Sequence, residues 1–180
     1  MKNKLKFLDG DSYVDEVEKR FTENFTESKV IFNAETNCYP FDSLEDSYPN
    51  PKEKYRFLNS GMMIGKKDSF IKLINEVYPL FVKEDSELGS DQGVWTKIFL
   101  KYDEKYGNDN PIGLDYDCKI FQVLWDEHYG RSANFDIIYN SKYIYNRRTN
   151  TEPCIFHMPG PTTTDSQVWK IINNRYKRIF

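Results

Sequence analysis

The 180-residue chain carries 25 Lys plus Arg against 28 Asp plus Glu, a formal charge of -3, which gives no general electrostatic pull toward nucleic acid or an anionic membrane. No window approaches the roughly 20 apolar residues of a membrane span. Three isolated cysteines, Cys38, Cys118 and Cys154, make neither a CxxC zinc pair nor an even disulfide set. The 13 Tyr, 13 Phe and 3 Trp supply large rings for the core of one domain. The first residues reach an acidic cluster before a secretory apolar region can form, so a reducing, by default cytoplasmic, compartment is expected.

Lys4 to Asp9 reads as a short strand ending in the acidic turn Asp9-Gly10-Asp11-Ser12. Val14, Val17, Phe21 and Phe25 recur at helical spacing, so a helix is expected over about 13–26. Lys29 to Ala34 is a β-rich run of the buried type, and strand, helix and strand together predict a crossover unit with a parallel sheet. Glu35 to Tyr55, with Pro40, Pro49 and Pro51, reads as loop. Tyr55 to Leu58 and Met62 to Ile64 read as two extended pieces around a tight turn at Asn59-Ser60-Gly61.

Asp68 can cap a helix whose apolar face is Phe70, Leu73, Ile74 and Val77, with Pro79 kinking or ending it and an acidic loop over Glu84 to Gly89. Ser90 or Asp91 can cap a further helix bearing Val94, Trp95, Ile98 and Phe99. Short apolar runs fill Leu114 to Leu124, a hairpin is expected over Phe135 to Tyr145 around Asn140-Ser141, and Cys154 to His157 reads as a strand end. Thr164 or Asp165 begins an expected last helix to Phe180, whose Arg175, Lys177 and Arg178 suit a carboxyl terminus.

Four places carry candidate chemistry, each with a plainer alternative. Asp9 and Asp11 can converge on one hard cation because Gly10 lets the backbone bend, and strand ends are where open α/β sheets bind ligands; an Asp-rich turn opening a helix explains them too. His157 ends an apolar run before Pro159-Gly160-Pro161, and neutral imidazole ligates Mn²⁺, Zn²⁺ or Fe²⁺ beside carboxylates; an ordinary hydrogen-bonded histidine fits as well. Asp91 and Gln92 at a helix start can meet a sugar's hydroxyls or take a proton from one, or can simply cap. Asn59-Ser60-Gly61 allows close approach of a ligand to backbone, or is a plain turn. Glu35, at a strand end, and Tyr39 are further polar and aromatic contacts. No GxSxG, P-loop or GxGxxG occurs, and Cys38 has no partner pattern for a nucleophile.

The order of these pieces resembles one family. Phe7-Leu8-Asp9, Val30 to Glu35 with Cys38-Tyr39-Pro40, Tyr48-Pro49, Tyr55 to Gly61 with Ile64-Gly65, Ser90-Asp91-Gln92 with Thr96-Lys97, Leu114-Asp115 with Cys118 to Gln122, and His157 with Gly160-Pro161 are similar, in consistent order over about residues 4–163, to the glycosyltransferase domain of procollagen lysyl hydroxylases and related collagen-type glycosyltransferases. The resemblance implies a GT-A-like (Rossmann-like) α/β fold with a mixed sheet flanked by helices. It also implies a Mn²⁺-dependent transferase moving a sugar from a UDP-sugar to a hydroxyl-bearing, collagen-like acceptor. By the same resemblance Asp9, Asp11 and His157 hold the metal, and Asp91 and Glu35 are the catalytic carboxylates, Asp91 as an enclosed one. Tyr39, Asn59, Ser60, Gly61, Gln92 and Gly160 line the substrate pocket.

This chain departs from the family pattern at several positions. Asp11 follows Asp9 by two where the family spaces its acids by three, Tyr39 stands for Trp, Ser90 for Asp, Pro159 for Asn and Thr163 for Lys. The family carries further strand–helix units before the acidic turn, so residues 1–180 are expected to be a single, N-terminally truncated domain, with 164–180 its last helix: a fragment, a part completed by another chain or a homo-oligomer, or a domain that has lost donor binding. A non-catalytic binding or assembly module of the same fold and an unrelated metal-dependent hydrolase are the alternative readings.

Overall fold

A computed structural model describes residues 10–26, 29–88, 90–124, 137–139 and 144–157, with residues 10–11, 83–88 and 138–139 described by their backbone alone. At its centre runs β1 (Val30–Glu35), whose six residues are all buried. The run is apolar enough to be covered on both faces, as an internal strand requires. It pairs antiparallel with β2 (Phe57–Ile64) and parallel with β3 (Ile112–Leu114), giving the order β2-β1-β3. The sheet is therefore mixed. The parallel crossover expected between the strand over 4–9 and β1 involves residues outside the described ones; within them β1 runs parallel to β3 and antiparallel to β2. The connection over 36–56 contains a 3-10 segment, Asp42–Ser47, rather than a crossover helix, and it returns the chain beside β1 in the opposite direction.

The expected turn at Asn59-Ser60-Gly61 is absent: one strand runs through it. Met63 lies opposite Phe32 and Asn59 opposite Asn33, so Ser60, Gly61 and Met62 bulge out between these pairs. Small polar residues that look like a turn in sequence are here the surplus of a β-bulge, which re-aims side chains at a sheet margin.

Strand alternation sorts the two faces. Val30, Phe32 and Ala34 enter the larger core beneath α2 (Lys67–Leu88) and α3 (Asp91–Tyr106), where the Phe32 and Trp95 rings lie 4.9 Å apart. Burying one such ring contributes about 2–3 kcal/mol. Ile31, on the other face, packs with Phe21 of α1 (Gly10–Asn24) and with Ile120 and Phe121. Trp95, Ile98, Phe99 and Tyr102 recur at helical spacing and are all buried, which fixes the inward face of α3. Tyr48 ties that helix to β2: its hydroxyl donates to Thr96 Oγ1 at 3.2 Å and accepts from the Leu58 N–H at 3.3 Å.

Helix α2 passes through Pro79 and continues to Leu88, over the stretch expected as an acidic loop. Both Pro79 and Asn75, whose carbonyl loses its helical partner, are on the exposed side, where the free carbonyl is open to solvent. Beyond β3, the Asp115 carboxylate accepts from the backbone N–H groups of Lys119, Ile120 and Phe121, shaping the approach to β4 (Phe121–Val123). Burial pushes the Asp115 carboxyl upward in pKa while these three donors pull it down. Strand β4 pairs parallel with β7 (Ile155–His157), and β5 (Ile137–Tyr139) pairs antiparallel with β6 (Ile144–Asn146), the expected hairpin. The strand expected over 4–9 and the helix over 164–180 lie outside the described residues. No helix among the described residues is long and apolar enough to cross a membrane.

Candidate active site at the end of the central strand

Strand β1 delivers Glu35 to its carboxyl end with only 1% of its surface exposed. Glu35 Oε1 accepts the Asn59 Nδ2 N–H at 3.0 Å and the Gln92 Nε2 N–H at 2.8 Å. A buried carboxylate needs such donors, and amides aimed at it have their flips decided. Gln92 Nε2 also donates to the Tyr39 carbonyl at 2.9 Å, and Gln92 Oε1 faces the Ser60 N–H at 3.4 Å. Asn59 Oδ1 accepts the Gly61 N–H at 2.9 Å. One carboxylate thus joins β1, β2, α3 and the Tyr39 loop.

Asp91 occupies the first turn of α3 after the N-cap Ser90, which makes no side-chain capping bond. The Asp91 carboxylate takes the Ser60 hydroxyl at 2.8 Å and is otherwise exposed, so the enclosed position expected for it is corrected. A helix start lies at the rim of the sheet, open to an incoming molecule. Tyr39, at 57% exposure, presents its ring at the same rim, before a cis peptide to Pro40. Gly93 lets that loop close on α3: a Cβ there stands 3.2 Å from Pro40 and Phe41 side-chain atoms.

His157 ends β7, half-buried, and its burial pushes the imidazole pKa below the usual histidine value. The ring lies on the β2 bulge: a Cβ built on Gly61 falls 2.3 Å from His157 Nε2. Glu35, Tyr39, Asn59, Ser60, Gly61, Asp91, Gln92 and His157, drawn from five segments, are therefore linked into one cluster. Asp9 and Gly160 lie outside the described residues, as does the side chain of Asp11.

Helix α1 nevertheless has a clear direction. Arg20 Nη1 donates to the carbonyls of Lys119 and Glu152, whereas the Tyr13 hydroxyl donates to the Cys154 carbonyl at 2.8 Å. Going from Arg20 back to Tyr13 moves from Glu152 forward to Cys154, so α1 runs antiparallel to β7. Its start at Gly10, roughly 4.5 Å further along the axis, heads toward the His157 end. Among the described residues no group of three or more His, Cys, Asp or Glu is placed to hold a metal ion. A neutral imidazole, at the strand end toward which the acid-flanked start of α1 is directed, fits a divalent cation by its donor chemistry.

Sequence reading missed Asn33. It is fully buried, lies opposite Asn59, shares the face of Glu35, and neither of its amide atoms has a hydrogen-bond partner. The alternation Ile31, Asn33, Glu35 is the signal that places it under the cluster. Cys38, assigned no chemistry from sequence, donates to the Phe41 carbonyl at 3.1 Å, and burial pushes its pKa to about 11.

A mixed sheet flanked by helices, with a polar site at the carboxyl end of its central strand, defines a GT-A-like α/β domain. The chain belongs to the family described as the PLOD GT domain, which matches residues 10–175. It is 36% identical over 151 residues to the procollagen-lysine,2-oxoglutarate 5-dioxygenase 1 of Gallus gallus, covering 82% of this chain and 18% of that protein. The multifunctional procollagen lysine hydroxylase and glycosyltransferase of Caenorhabditis elegans is 31% identical over 147 residues, covering 80% of this chain and 18% of that protein. A Drosophila melanogaster procollagen-lysine,2-oxoglutarate 5-dioxygenase is 32% identical over 153 residues, covering 84% and 20%. The chain thus spans a fifth or less of the length of these relatives.

Proposed function

We propose that this domain transfers a sugar from a UDP-sugar to a hydroxyl on a collagen-like acceptor, with Mn²⁺ bound at its site. The observation that supports it most is the convergence of Asp91, Ser60, Asn59, Gln92 and Glu35 beside the His157 imidazole. Family membership supports the transferase class, and the names of the relatives, which specify procollagen lysine, support the acceptor class.

Asp9, Asp11 and His157 would hold the cation, which when bound supplies Lewis-acid stabilisation of the charge building on a departing diphosphate. Asp91 aligns or deprotonates the acceptor hydroxyl, or offsets positive charge growing on the sugar, and its exposure at the rim is what lets an acceptor reach it. The Ser60 hydroxyl fixes the carboxylate's orientation for that task. Glu35, expected among the catalytic groups, is a positioning residue in this geometry, since it acts through the Asn59 and Gln92 amides that it holds. Exposed Tyr39 offers a ring face to the sugar or the acceptor.

Turnover of UDP-sugars should need Mn²⁺, stop on chelation with EDTA, and fall about 10²–10⁴-fold in kcat in Asp91→Asn, the range that one acid–base group supplies. Turnover that survives EDTA, or is unchanged in Asp91→Asn, contradicts the proposal.

A further inference from the structure

Gly61 stands where its neighbours give it an unexpected task. As part of a small polar triplet it is read from sequence as a turn residue or a place where a ligand meets backbone. The structure puts it in the β2 bulge, exposed, with a φ outside the left-handed region that only glycine favours. Its backbone conformation therefore admits any side chain. What excludes one is the imidazole: a Cβ at this position falls 2.3 Å from Nε2, 2.5 Å from Cε1 and 2.8 Å from Cδ2 of His157. All three distances are below any real Cβ contact, and all three atoms belong to one ring.

We infer that Gly61 is a positioning residue: the bulge presents a bare Cα as the seat of the His157 ring, and so sets where Nε2 stands relative to the rest of the site. The bulge makes this possible by lifting Ser60, Gly61 and Met62 out of register with β1. Its anchors, both on the amino-terminal side of Gly61, are the Asn59 amide oxygen, which accepts the Gly61 N–H, and the Ser60 hydroxyl, which donates to Asp91. The seat thereby couples the carboxylate half of the site to the imidazole half, which sits on a separate sheet formed by β4 and β7. No other described segment packs a ring against bare backbone at this range.

The inference rests on the metal-dependent reading for its functional consequence, but not for its geometry, and the test separates the two. Gly61→Ala must displace the ring by about 1 Å to restore ordinary contact. Because position 61 is exposed and unstrained, the melting temperature should stay within a few degrees. Calorimetric titration of the full chain with Mn²⁺ should show the affinity weakened about 10–100-fold, the usual consequence of disturbing a ligand's orientation. In a His157→Ala background, where the ring is gone, the same substitution should leave the melting temperature unchanged, which is the coupling expected if it acts through the ring.

The second readout needs no metal. The chain holds two histidines, so the imidazole NMR correlations of His157 and His128 are separable. Gly61→Ala should move the His157 signals and leave those of His128 in place. Unmoved His157 signals, or a measurable Mn²⁺ affinity that Gly61→Ala leaves unchanged, overturn the assignment. If the signals move while the native chain binds no Mn²⁺, the seat stands and the metal-dependent function falls.

Discussion

The half of the site built from β1, β2 and α3 and the half built from β4, β7 and α1 hold their side chains by different means. In the first, a single buried carboxylate gathers two amides, and each amide is tied again to backbone. In the second, the imidazole is placed by packing on Gly61 at the end of a strand of three residues. Buried hydrogen-bond networks are costly to break and define one geometry, whereas a ring resting on a bare Cα is cheap to remove and easy to shift. The contrast teaches that stability and the proposed cation binding should separate under mutation, the first resting on the amide half and the second on the imidazole half.

Glu35→Ala should break the contrast most. It leaves the Asn59 and Gln92 donors buried without their acceptor, and stability measured by urea denaturation should fall by roughly 3 kcal/mol, the sum of two desolvated donors. His157→Ala should cost less than about 1 kcal/mol, since the ring is only half-buried. Any Mn²⁺ binding should nevertheless disappear in calorimetry. Ser60→Ala should leave stability within about 0.5 kcal/mol, as expected for an exposed hydroxyl bond. Its kcat should drop about tenfold, because Asp91 loses the donor that orients it.

The last check lies away from the site and concerns the thiols. Burial pushes Cys38 and Cys154 up to about 11, and Cys118 well above the ordinary thiol value. A raised thiol pKa keeps the group protonated until the pH approaches it. Alkylation of native protein by iodoacetamide at pH 8 should therefore run about a hundredfold slower than for a free thiol and quicken toward pH 11. Rapid labelling at pH 8 would mean that the core around these residues opens.

Much of the framework is legible in the sequence where one physical signal dominates. The buried run at β1, the helical spacing of Val14, Val17 and Phe21, the face of α3 and the hairpin at β5 and β6 all follow from periodicity. Legibility fails where a local signal is overridden from a distance. Asn59-Ser60-Gly61 has turn chemistry, yet pairing with β1 on one side and the His157 ring on the other draw it into a strand. Pro79 has breaker chemistry, yet it lies on the solvent side of a helix whose inward face is already packed.

Of the polar residues singled out at element ends, Glu35, Asp91, Gln92 and His157 meet beside the β2 bulge, whereas Asp9, Gly160 and the side chain of Asp11 lie outside the described residues. Asn33 escaped notice because an amide inside an apolar run carries no local mark. Only the face it shares with Glu35 gives it away.

Isothermal titration of UDP into the chain, with Mn²⁺ and then with EDTA, tests the central claim most directly. The account predicts binding that requires Mn²⁺ and vanishes in His157→Ala while that variant keeps its cooperative unfolding. Binding of UDP that is equal with and without the cation, or that persists undiminished without the imidazole, would contradict it.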